Sequence, residues 1–451
     1  MESTSKWMSD INTTSWAPLF NLSSIIKNSE RLIQLDEVVT IKQGFPIKND
    51  LESASDVRII RSQDSGQLTL GLGLKLKENE QSGKSLIKNL AEPGDVFIPR
   101  ATGDVSYKLK DGKSVIASEA FFIAKPDRVD FADKYLLGRL VSCALNTKPA
   151  QDLMNFFANS ARSGSLTLSN LKQILIPNFN NEEFWHKCKE FRQRINDMES
   201  LIYNCDKSFD EINYEIADYF EFYLNPMIDF YSTTLNTYDF WDLNGWGWNH
   251  VQKLFLTKKA RNSSKWIQLD SIIDFKNKPR VIWLHKRLST GSENHYIKSR
   301  NIYPRCSLAM PQIETNKSIL SKGYFFEITG ECLLFPALGN ITEKPSVIPK
   351  VVFSKAEHVY ASTQWVPVIC TFPRVLSLIF DHPFVKQQRE LSGFDIAKHL
   401  SLDDLKTVLI PKISDSKMVS WEMELTNAQA NYIKALAIRT ELINEAESWY
   451  T

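Results

Sequence analysis

The sequence predicts an α+β fold made of two repeated domains, each followed by a long helix, with the two helices packed as an antiparallel coiled coil. Three observations support this prediction. A ten-residue block, Leu168–Pro177 (LSNLKQILIP), occurs again as Leu402–Pro411 (LDDLKTVLIP), 234 positions later. Each block is followed by an apolar pattern of helical period. The segments before each block are typical of short strands, so the repeated unit combines sheet and helix.

The repeat extends well before the two blocks. Ile33–Asp36 recurs as Ile267–Asp270 at the same offset, and Gly94–Val105 aligns without gaps to Gly330–Ile341. Matching segments in the same order indicate an internal duplication whose contents have diverged. The predicted boundaries are 1–180 for the first domain, 181–225 for the first long helix, 226–413 for the second domain and 414–451 for the second long helix.

Short strands bounded by turn residues dominate each copy. Val57–Arg61, Asp95–Pro99 and Ser118–Ala124 are rich in Val, Ile and Phe and are flanked by Gly, Pro, Asp or Ser. Asp133–Leu145 and Arg374–Val385 are predicted to be helices late in each copy. Each copy is therefore expected to be a compact α+β domain of ordinary size.

The segments after the two blocks carry a coiled-coil pattern. Apolar residues recur at 4-3 spacing from Phe184 to Tyr223 and from Trp421 to Trp449, with Arg439 as the polar exception. This period predicts a seam that faces a partner helix. A helix of about 40 residues is about 60 Å long, too long to bury its seam on one small domain. The predicted seam residues include Phe184, Phe191, Ile195, Met198, Ile202, Phe209, Ile212, Ile216, Leu425, Tyr432 and Leu442.

Length and composition set broad limits on the protein. A chain of 451 residues predicts two to three domains, and a formal net charge of +1 does not by itself favour nucleic acid. Six scattered cysteines without a CxxC pair indicate a reducing compartment and argue against a zinc site or a disulfide framework. The polar start and the absence of a long apolar run predict a cytoplasmic protein without a membrane span.

No catalytic motif is complete. Two Gly-Lys-Ser strings, at Gly83 and Gly112, lack the earlier glycine that a phosphate-binding loop requires. Asn225-Pro226 is not followed by the second proline and the aromatic of an adenine methyltransferase motif, and no dinucleotide loop or GxSxG elbow is present. A divergent nuclease of the Asp…Glu-x-Lys kind has no convincing candidate residues. The sequence therefore predicts no catalytic residue, metal or cofactor in this chain.

Polar residues of the types that hold phosphates and read base edges recur in the loops of both copies. Taken singly, each is more often a solvated surface residue, but their recurrence at matching places favours binding. The candidates in the first copy are Lys42, Arg58, Arg61, Ser62, Gln63, Arg100, Thr102, Lys108 and Arg162. Those in the second copy are Lys276, Lys278, Arg280, Lys298, Arg300, Asn301, Asn340 and Lys344.

On these motifs the chain resembles the specificity subunit of type I restriction-modification systems. The likeness is carried by Leu35–Gly44, by Gly94–Gly103 and by the Leu-Ile-Pro that precedes each long helix, and it covers nearly the whole chain. The resemblance implies two target-recognition domains, each reading one half of a split double-stranded DNA sequence. It also implies that the coiled coil fixes the number of unread base pairs between the halves.

The same resemblance implies partners. Two adenine-specific DNA methyltransferase subunits would dock on this chain and supply the S-adenosylmethionine chemistry, and motor-endonuclease subunits are a further partner. The chain itself would be the non-catalytic reader of a cytoplasmic antiphage system. One alternative is a protein-interaction scaffold or other defence-system component with the same fold, which the near-neutral charge and the diverged second copy favour. A further alternative is a stand-alone enzyme, which no motif in the sequence supports.

Overall fold

The computed structural model describes helices and strands in two compact units. The units comprise Met1–Ile202 with Ile433–Thr451, called unit 1, and Tyr203–Tyr432, called unit 2. The mixed helix and sheet content predicted from the sequence is confirmed. The described residues are 31–46, 58–60, 90–101, 103–110, 114–129, 133–160, 164–179, 182–220, 257, 260, 264–273, 279–284, 294–297, 302–303, 306–314, 323–337, 344–354, 356, 359–392 and 401–450.

In the described part of unit 1, most strands precede most helices. The elements are β1 Leu32–Gln34, α1 Leu35–Val38, β2 Thr40–Gln43, β3 Arg58–Ile60, β4 Val96–Pro99, β5 Ser106–Tyr107, β6 Val115–Ala117, β7 Phe121–Lys125, α2 Lys134–Asn146, α3 Lys148–Ser160, α4 Leu168–Lys172, β8 Leu175–Pro177 and the start of α5 Glu182–Phe220.

Unit 2 follows a similar order of elements, and its sheets contain more strands. The elements are β9 Trp266–Gln268, β10 Arg280–Leu284, β11 Asn294–Ile297, β12 Ile302–Tyr303, β13 Leu308–Ala309, β14 Gln312–Glu314, β15 Gly323–Ile328, β16 Cys332–Pro336, β17 Ser346–Ile348, β18 Val359–Ser362, β19 Trp365–Val368, α6 Pro373–Ile379, α7 Pro383–Ser392, α8 Leu402–Lys406, β20 Leu409–Pro411 and α9 Asp415–Glu447. Short 3-10 helices span Leu269–Ser271, Lys350–Ser354 and, in unit 1, Ser448–Tyr450.

The two repeated motifs pair with each other inside each unit. In unit 1, β1 and β8 are antiparallel, with Ile33 opposite Ile176. In unit 2, β9 and β20 are antiparallel, with Ile267 opposite Ile410. Both pairings keep the 234-residue offset seen in the sequence. One more backbone hydrogen bond follows each proline, from the Asn178 amide to Arg31 O at 2.7 Å and from the Lys412 amide to Lys265 O at 2.8 Å. Each ladder pairs the first described strand of its unit with the last described one.

A short helix precedes the closing strand of each unit. Thr167 caps α4 by accepting from the Asn170 amide, and Ser401 caps α8 by accepting from the Asp404 amide. Hydroxyl side chains satisfy amides that a helix start leaves without partners. In unit 2 the Asp404 carboxylate also accepts from the Ser401 amide, which completes a capping box.

An antiparallel sheet forms the centre of unit 1, in the strand order β2-β7-β4-β5. β4 and β6 are fully buried and β7 nearly so, and a cluster of their side chains with Ile60 and Ala91 forms a core. The predicted strand at Ser118–Ala124 begins later than expected, because residues 118–120 form the turn between β6 and β7. Burial of this many Val, Ile and Phe side chains is the main stabilising contribution.

Unit 2 contains two five-stranded sheets, in the orders β10-β15-β18-β11-β14 and β12-β13-β17-β16-β19. One core cluster joins them, with Ile297 and Val359 from the first sheet and Leu334 and Trp365 from the second. β16 pairs antiparallel with β17 and β19, as β4 does with β5 and β7. The two units therefore share a central strand with the same kinds of neighbours.

The predicted helix at Arg374–Val385 is wrong as one element. The structure has two helices, α6 and α7, with a break at residues 380–382. Pro383 causes the break, since proline cannot donate to the preceding turn and disfavours a helical residue before it. Pro373 sits at the first turn of α6, where a missing amide costs nothing. The corresponding prediction for Asp133–Leu145 is confirmed by α2, with Asp133 as its N-cap.

Within unit 1, the long helices α5 and α9 contact each other with their residue numbers running in opposite directions. The rings of Phe191 and Trp449 lie 4.9 Å apart. One turn later on α5, Arg194 donates to Glu445 and, at 3.3 Å, to Glu441. Tyr450, just beyond α9, donates to the carbonyl of Ala144 on α2 at 3.0 Å. The end of the chain is thus tied into unit 1.

Within unit 2, the remaining parts of the same helices contact each other in the same sense. Glu215 of α5 accepts from the Trp421 indole at 2.9 Å and forms an ion pair with Lys417. The rings of Tyr219 and Trp421 lie 5.9 Å apart, edge to face. The two helices that make these contacts, α5 and α9, are 39 and 33 residues long.

Ten of the predicted seam residues are buried. Phe191, Ile195, Met198, Ile202, Phe209, Ile212, Ile216, Leu425, Tyr432 and Leu442 are each at most 3% exposed; for Phe184 only the backbone is described. The pattern fails at Tyr219, which is 41% exposed, while Phe220 is fully buried. A straight helix drifts about 20° per heptad from a strict seven-residue repeat, which amounts to nearly one position over four heptads.

All six cysteines are free thiols. In the part of the chain that the structure describes, none of the helices combines the length and apolar character of a membrane span.

Candidate nucleic-acid interface

Three strand ends of unit 1 meet at the turn between β6 and β7. The Arg100 amide, just after β4, donates to the carbonyl of Ala120 at 2.9 Å. The carbonyl of Ile60, at the end of β3, accepts from the Ser118 amide at 2.9 Å. Phe45, just after β2, forms a bridge with Ser118. Segments that the sequence marked separately as binding candidates therefore converge at this turn.

Gly44 allows the end of β2 to approach the turn. A Cβ added at Gly44 would lie 2.0 Å from the carbonyl oxygen of Ser118, a distance that real side chains do not adopt. The Gly44 amide donates to Phe121 O at 2.9 Å. The glycine is therefore required by close approach of two backbones rather than by its φ angle. Lys42 and Gln43, both exposed, are held beside the turn as a result.

Arg100 is the candidate whose side chain is best oriented. Its guanidinium lies 5.6 Å from the centre of the Phe122 ring, within the range of a cation–π contact. Nη1 donates to the carbonyl of Glu119 at 3.5 Å, and Nε is buried without a hydrogen bond. An arginine fixed on an aromatic face keeps several donors for phosphate or for a base edge.

The backbone on both sides of the Arg100 loop is fixed by hydrogen bonds. The Leu166 amide donates to Arg100 O at 2.8 Å. Asn146, at the end of α2, accepts from the Val105 amide at 2.8 Å and donates to Val105 O at 2.7 Å. The Asp104 carboxylate accepts from Arg439 of α9 at 2.9 Å. A loop held at these points presents its side chains without a large ordering cost on binding.

Two other lysine candidates of unit 1 differ in accessibility. Lys42 is exposed on β2, opposite Ile123 of β7. Lys108 is only 3% exposed, and its ammonium donates to the carbonyl of Leu109 at 2.9 Å. Lys108 is therefore placed as an internal residue of unit 1.

The side chains of several candidates lie outside the described part of the structure. Only the backbone is described for Arg58 in β3 and Arg280 in β10. The candidates outside the described residues are Arg61, Ser62, Gln63, Thr102, Arg162, Lys276, Lys278, Lys298, Arg300, Asn301 and Asn340.

In unit 2, the position that corresponds to Arg100 holds Ala337. The Ala337 amide donates to the carbonyl of Gln364 at 2.7 Å, as the Arg100 amide does to Ala120. β16 has five residues and β4 has four, so the hydrogen-bonded positions differ by one from the ungapped sequence alignment, which paired Ala337 with Ala101. Ala337 is 1% exposed and brings no charge to this strand end.

Lys344, a candidate of unit 2, lies against α5. Its ammonium is 5.5 Å from the centre of the Phe209 ring, and the residue is half-buried. Burial lowers the pKa of Lys344, while the nearby carboxylates of Asp381 and Asp210 oppose that effect. These contacts place Lys344 between sheet and helix.

A buried arginine that the sequence analysis missed joins α2 to α5 in unit 1. Arg139 is 2% exposed, and its guanidinium donates to Asn196 at 2.8 Å and to Glu199 at 3.3 Å. Tyr107 and Tyr135 both donate their hydroxyls to the other oxygen of Glu199, at 2.8 and 2.9 Å. Burial, followed by the Glu199 charge, raises the pKa of both tyrosines.

A second buried arginine joins α6 to α9 in unit 2. Arg374 donates to Glu422 at 2.8 Å, to Glu331 at 2.7 Å and to Gln429 at 2.8 Å. Burial lowers the pKa of Arg374, but the hydrogen bonds that it donates to the two carboxylates outweigh this effect, so the net shift of its pKa is upward. Gln429 also donates to the carbonyls of Cys306 and Ser307. A charged residue inside an apolar helical stretch was the available sequence signal for both arginines.

Across the described residues, no cluster of His, Cys, Asp and Glu has the composition of a metal site. The side chains at the strand ends of unit 1 are basic and amide groups, which suits binding of an anion better than acid–base or nucleophilic catalysis.

Comparison with known proteins gave structural matches only. No family model matches the sequence, and none of the curated proteins does. The chain is similar to the S subunit of a type I restriction-modification system from M. genitalium, with 12% identity, 93% of this chain and 94% of that chain covered, and a TM-score of 0.34. It is also similar to the HsdS subunit from Thermoanaerobacter tengcongensis, with 12% identity, 93% and 95% covered, and a TM-score of 0.25. TM-scores this low establish neither a shared topology nor a shared activity.

Proposed function

We propose that this chain is a sequence-specific DNA-recognition subunit that reads a bipartite target. One observation supports this most strongly. The ladders β1·β8 and β9·β20 have the same register at a constant offset of 234 residues, and a long helix follows each of them. A duplicated unit with a duplicated strut is suited to presenting two related surfaces at a fixed separation.

In this proposal the repeated domains are 1–180 and 226–413, and the segments 181–225 and 414–451 form an antiparallel coiled coil. The buried seam residues and the opposed contacts of α5 and α9 within each unit support the packing. Basic residues at the strand ends, Lys42 and Arg100 in unit 1, would contact DNA. The candidates outside the described residues remain part of the proposed DNA-contacting set.

The chain would have no catalytic role of its own. Two adenine-specific DNA methyltransferase subunits would dock on it and hold S-adenosylmethionine, and motor-endonuclease subunits would be a further partner in a cytoplasmic type I restriction-modification complex. With a net charge of +1, much of the phosphate contact, and hence of the salt dependence, would belong to the assembled complex.

The test is a footprint of the chain assembled with an adenine-specific DNA methyltransferase subunit that binds it. The expected result is two protected blocks separated by a fixed number of unprotected base pairs. Sequencing of methylated adenines in cells with and without the chain should identify the same split motif. A single continuous protected block, or methylation that does not depend on the chain, would contradict the proposal.

A second candidate is a non-catalytic protein-interaction scaffold of a defence system. It is favoured by Ala337, which is buried where unit 1 has Arg100. In that case the assembled complex would bind the methyltransferase but show no salt-dependent affinity for DNA. Titration of the complex with duplex DNA at two salt concentrations separates the two functions, because counterion release makes DNA binding weaken steeply with salt.

A further inference from the structure

Arg439 of α9 occupies a seam position where the apolar pattern would be expected to continue. Its neighbours at 4-3 spacing, Ala435 and Leu442, are fully buried, while the Arg439 side chain is 18% exposed. An aliphatic residue at such a position would add buried apolar area to the helix pair. An arginine at this position can make a polar contact that an aliphatic side chain could not.

The contact is with the candidate reading loop of unit 1. Arg439 Nη1 donates to Asp104 Oδ2 at 2.9 Å, and Asp104 is four residues after Arg100. Asp104 is itself 53% exposed at its side chain, so the pair lies at the protein surface. Ion pairs of this kind contribute little to folding. The pair is thus poorly suited to a purely structural role.

In the described part of the loop, the other contacts tie it to the sheet and to α2 and α3. Arg100 is fixed through its own backbone and by Phe122, and Val105 is fixed by Asn146. Gln151 of α3 reaches the carbonyl of Gly103 at 3.4 Å. Arg439 adds a charge-assisted contact from α9, the last long helix of the chain, to the segment between these two anchors.

We infer that Arg439 is a positioning residue for DNA recognition by unit 1, acting through Asp104 on the segment that follows Arg100. The inference rests on the proposed function and extends it: the helix of the second repeat sets the loop that reads the first half-site. Loss of the pair loosens the loop, so the complex loses discrimination at one half-site while the other half-site is read as before.

The experiment uses the full chain assembled with its methyltransferase partner. Arg439→Leu and Asp104→Asn each remove the ion pair, and the double variant with Arg439→Asp and Asp104→Arg restores it in reverse. Arg194→Leu is the control, because it removes ion pairs of α9 with α5, to Glu441 and Glu445, that do not reach the loop. Affinity is measured for the intact target and for targets scrambled in either half.

Either single variant is expected to lower the discrimination against a scrambled unit 1 half-site about tenfold, the scale of losing one well-oriented base contact. The single variants should match the control in discrimination at the other half-site and in the midpoint of thermal unfolding. The charge-reversed double variant should recover most of the lost discrimination at the unit 1 half-site. The half-site read by unit 1 is identified with Arg100→Ala.

Unchanged discrimination in both single variants would overturn the inference, as would an equal loss at both half-sites. These results differ from failure of the proposed function, in which the unaltered complex would not protect a split site at all.

Discussion

Arg139 and Arg374 stand 235 positions apart, and each buries its guanidinium against an amide and a carboxylate of a long helix. The amide partners, Asn196 and Gln429, keep nearly the same spacing. The carboxylate partners do not. Each unit therefore fastens its globular part to a long helix with an arginine at the same place in the repeat, although the surroundings have diverged.

Replacing Arg374 by methionine should destabilise the protein markedly. Arg374→Met leaves Glu422 buried without its cation and removes a donor from Gln429, so we expect the free energy of unfolding to fall by about 3 kcal/mol. The free energy of unfolding of Arg374→Lys should lie between those of Arg374→Met and the unaltered protein, since lysine keeps the charge but lacks the planar guanidinium. Urea unfolding at pH 7 measures both.

The control for this experiment is Lys207→Met, which removes an exposed ion pair with Glu211 one turn away on α5. Its effect should stay within about 0.5 kcal/mol. Equal losses for Arg374→Met and Lys207→Met would show that the buried network of unit 2 has no special importance.

Gly44→Ala should disturb the strand ends of unit 1, because the new methyl group would meet the backbone of Ser118 at 2.0 Å. Relief of that clash requires backbone movement, and we expect a loss of about 1–3 kcal/mol in stability together with weaker DNA binding. Gly330→Ala is the matched substitution, since a Cβ there meets nothing within 4 Å. Thermal unfolding compares the two, and a Gly44→Ala protein as stable as Gly330→Ala would contradict the close approach.

Arg100→Ala should weaken DNA binding by the assembled complex. If Arg100 holds a phosphate, the slope of log affinity against log salt should fall in magnitude by about 1; if it reads a base, specificity at one position should relax at a cost of about 1–3 kcal/mol. Lys434→Ala, which removes an exposed charge on α9, serves as the control. Identical salt titrations for both variants would remove Arg100 from the interface.

Asp95 gives unit 1 a specific pH dependence. Burial raises the pKa of its carboxyl from 3.8 to about 6, against the opposing effects of the Glu92 amide and Lys125. A raised folded-state pKa stabilises the fold below the unfolded value, and this contribution is lost as the pH rises through 4 to 6. Asp95→Asn should remove that dependence while still accepting from the Glu92 amide.

The difference in unfolding free energy between Asp95→Asn and the unaltered chain should therefore shift in favour of the variant by about 2.5 kcal/mol from pH 4 to pH 7.5. Urea unfolding at several pH values provides the measurement. A difference that stays constant with pH would mean that the Asp95 carboxyl is not held in its neutral form.

The sequence predicted those parts of the structure that depend on local pattern. The strand at Asp95–Pro99, the helix at Asp133–Leu145 and the burial of ten apolar positions on the long helices follow from residue type and spacing. The failures have local causes that the pattern did not weigh. Pro383 divides a predicted helix, and the drift of a straight helix exchanges Tyr219 for Phe220 in the seam.

The candidate site was harder to predict because it depends on long-range pairing. Lys108 belongs to the same basic set as Arg100 in sequence, yet pairing of β4 with β5 takes it into the interior. The one-residue difference in length between β4 and β16 moves Ala337 into the place of Arg100, which an ungapped alignment hides. Arg139 was missed because its partners lie on a helix about 60 residues away.

The ladders that join the first and last strands of each unit have one more consequence. Chain entry and chain exit lie side by side at β1·β8, and again at β9·β20. The material between them can therefore be exchanged for a foreign insert of different length without moving the helix that follows, provided the insert also begins and ends in adjacent strands. Under the proposed function, replacing that one segment would change the sequence preference of one half and leave the other half unchanged.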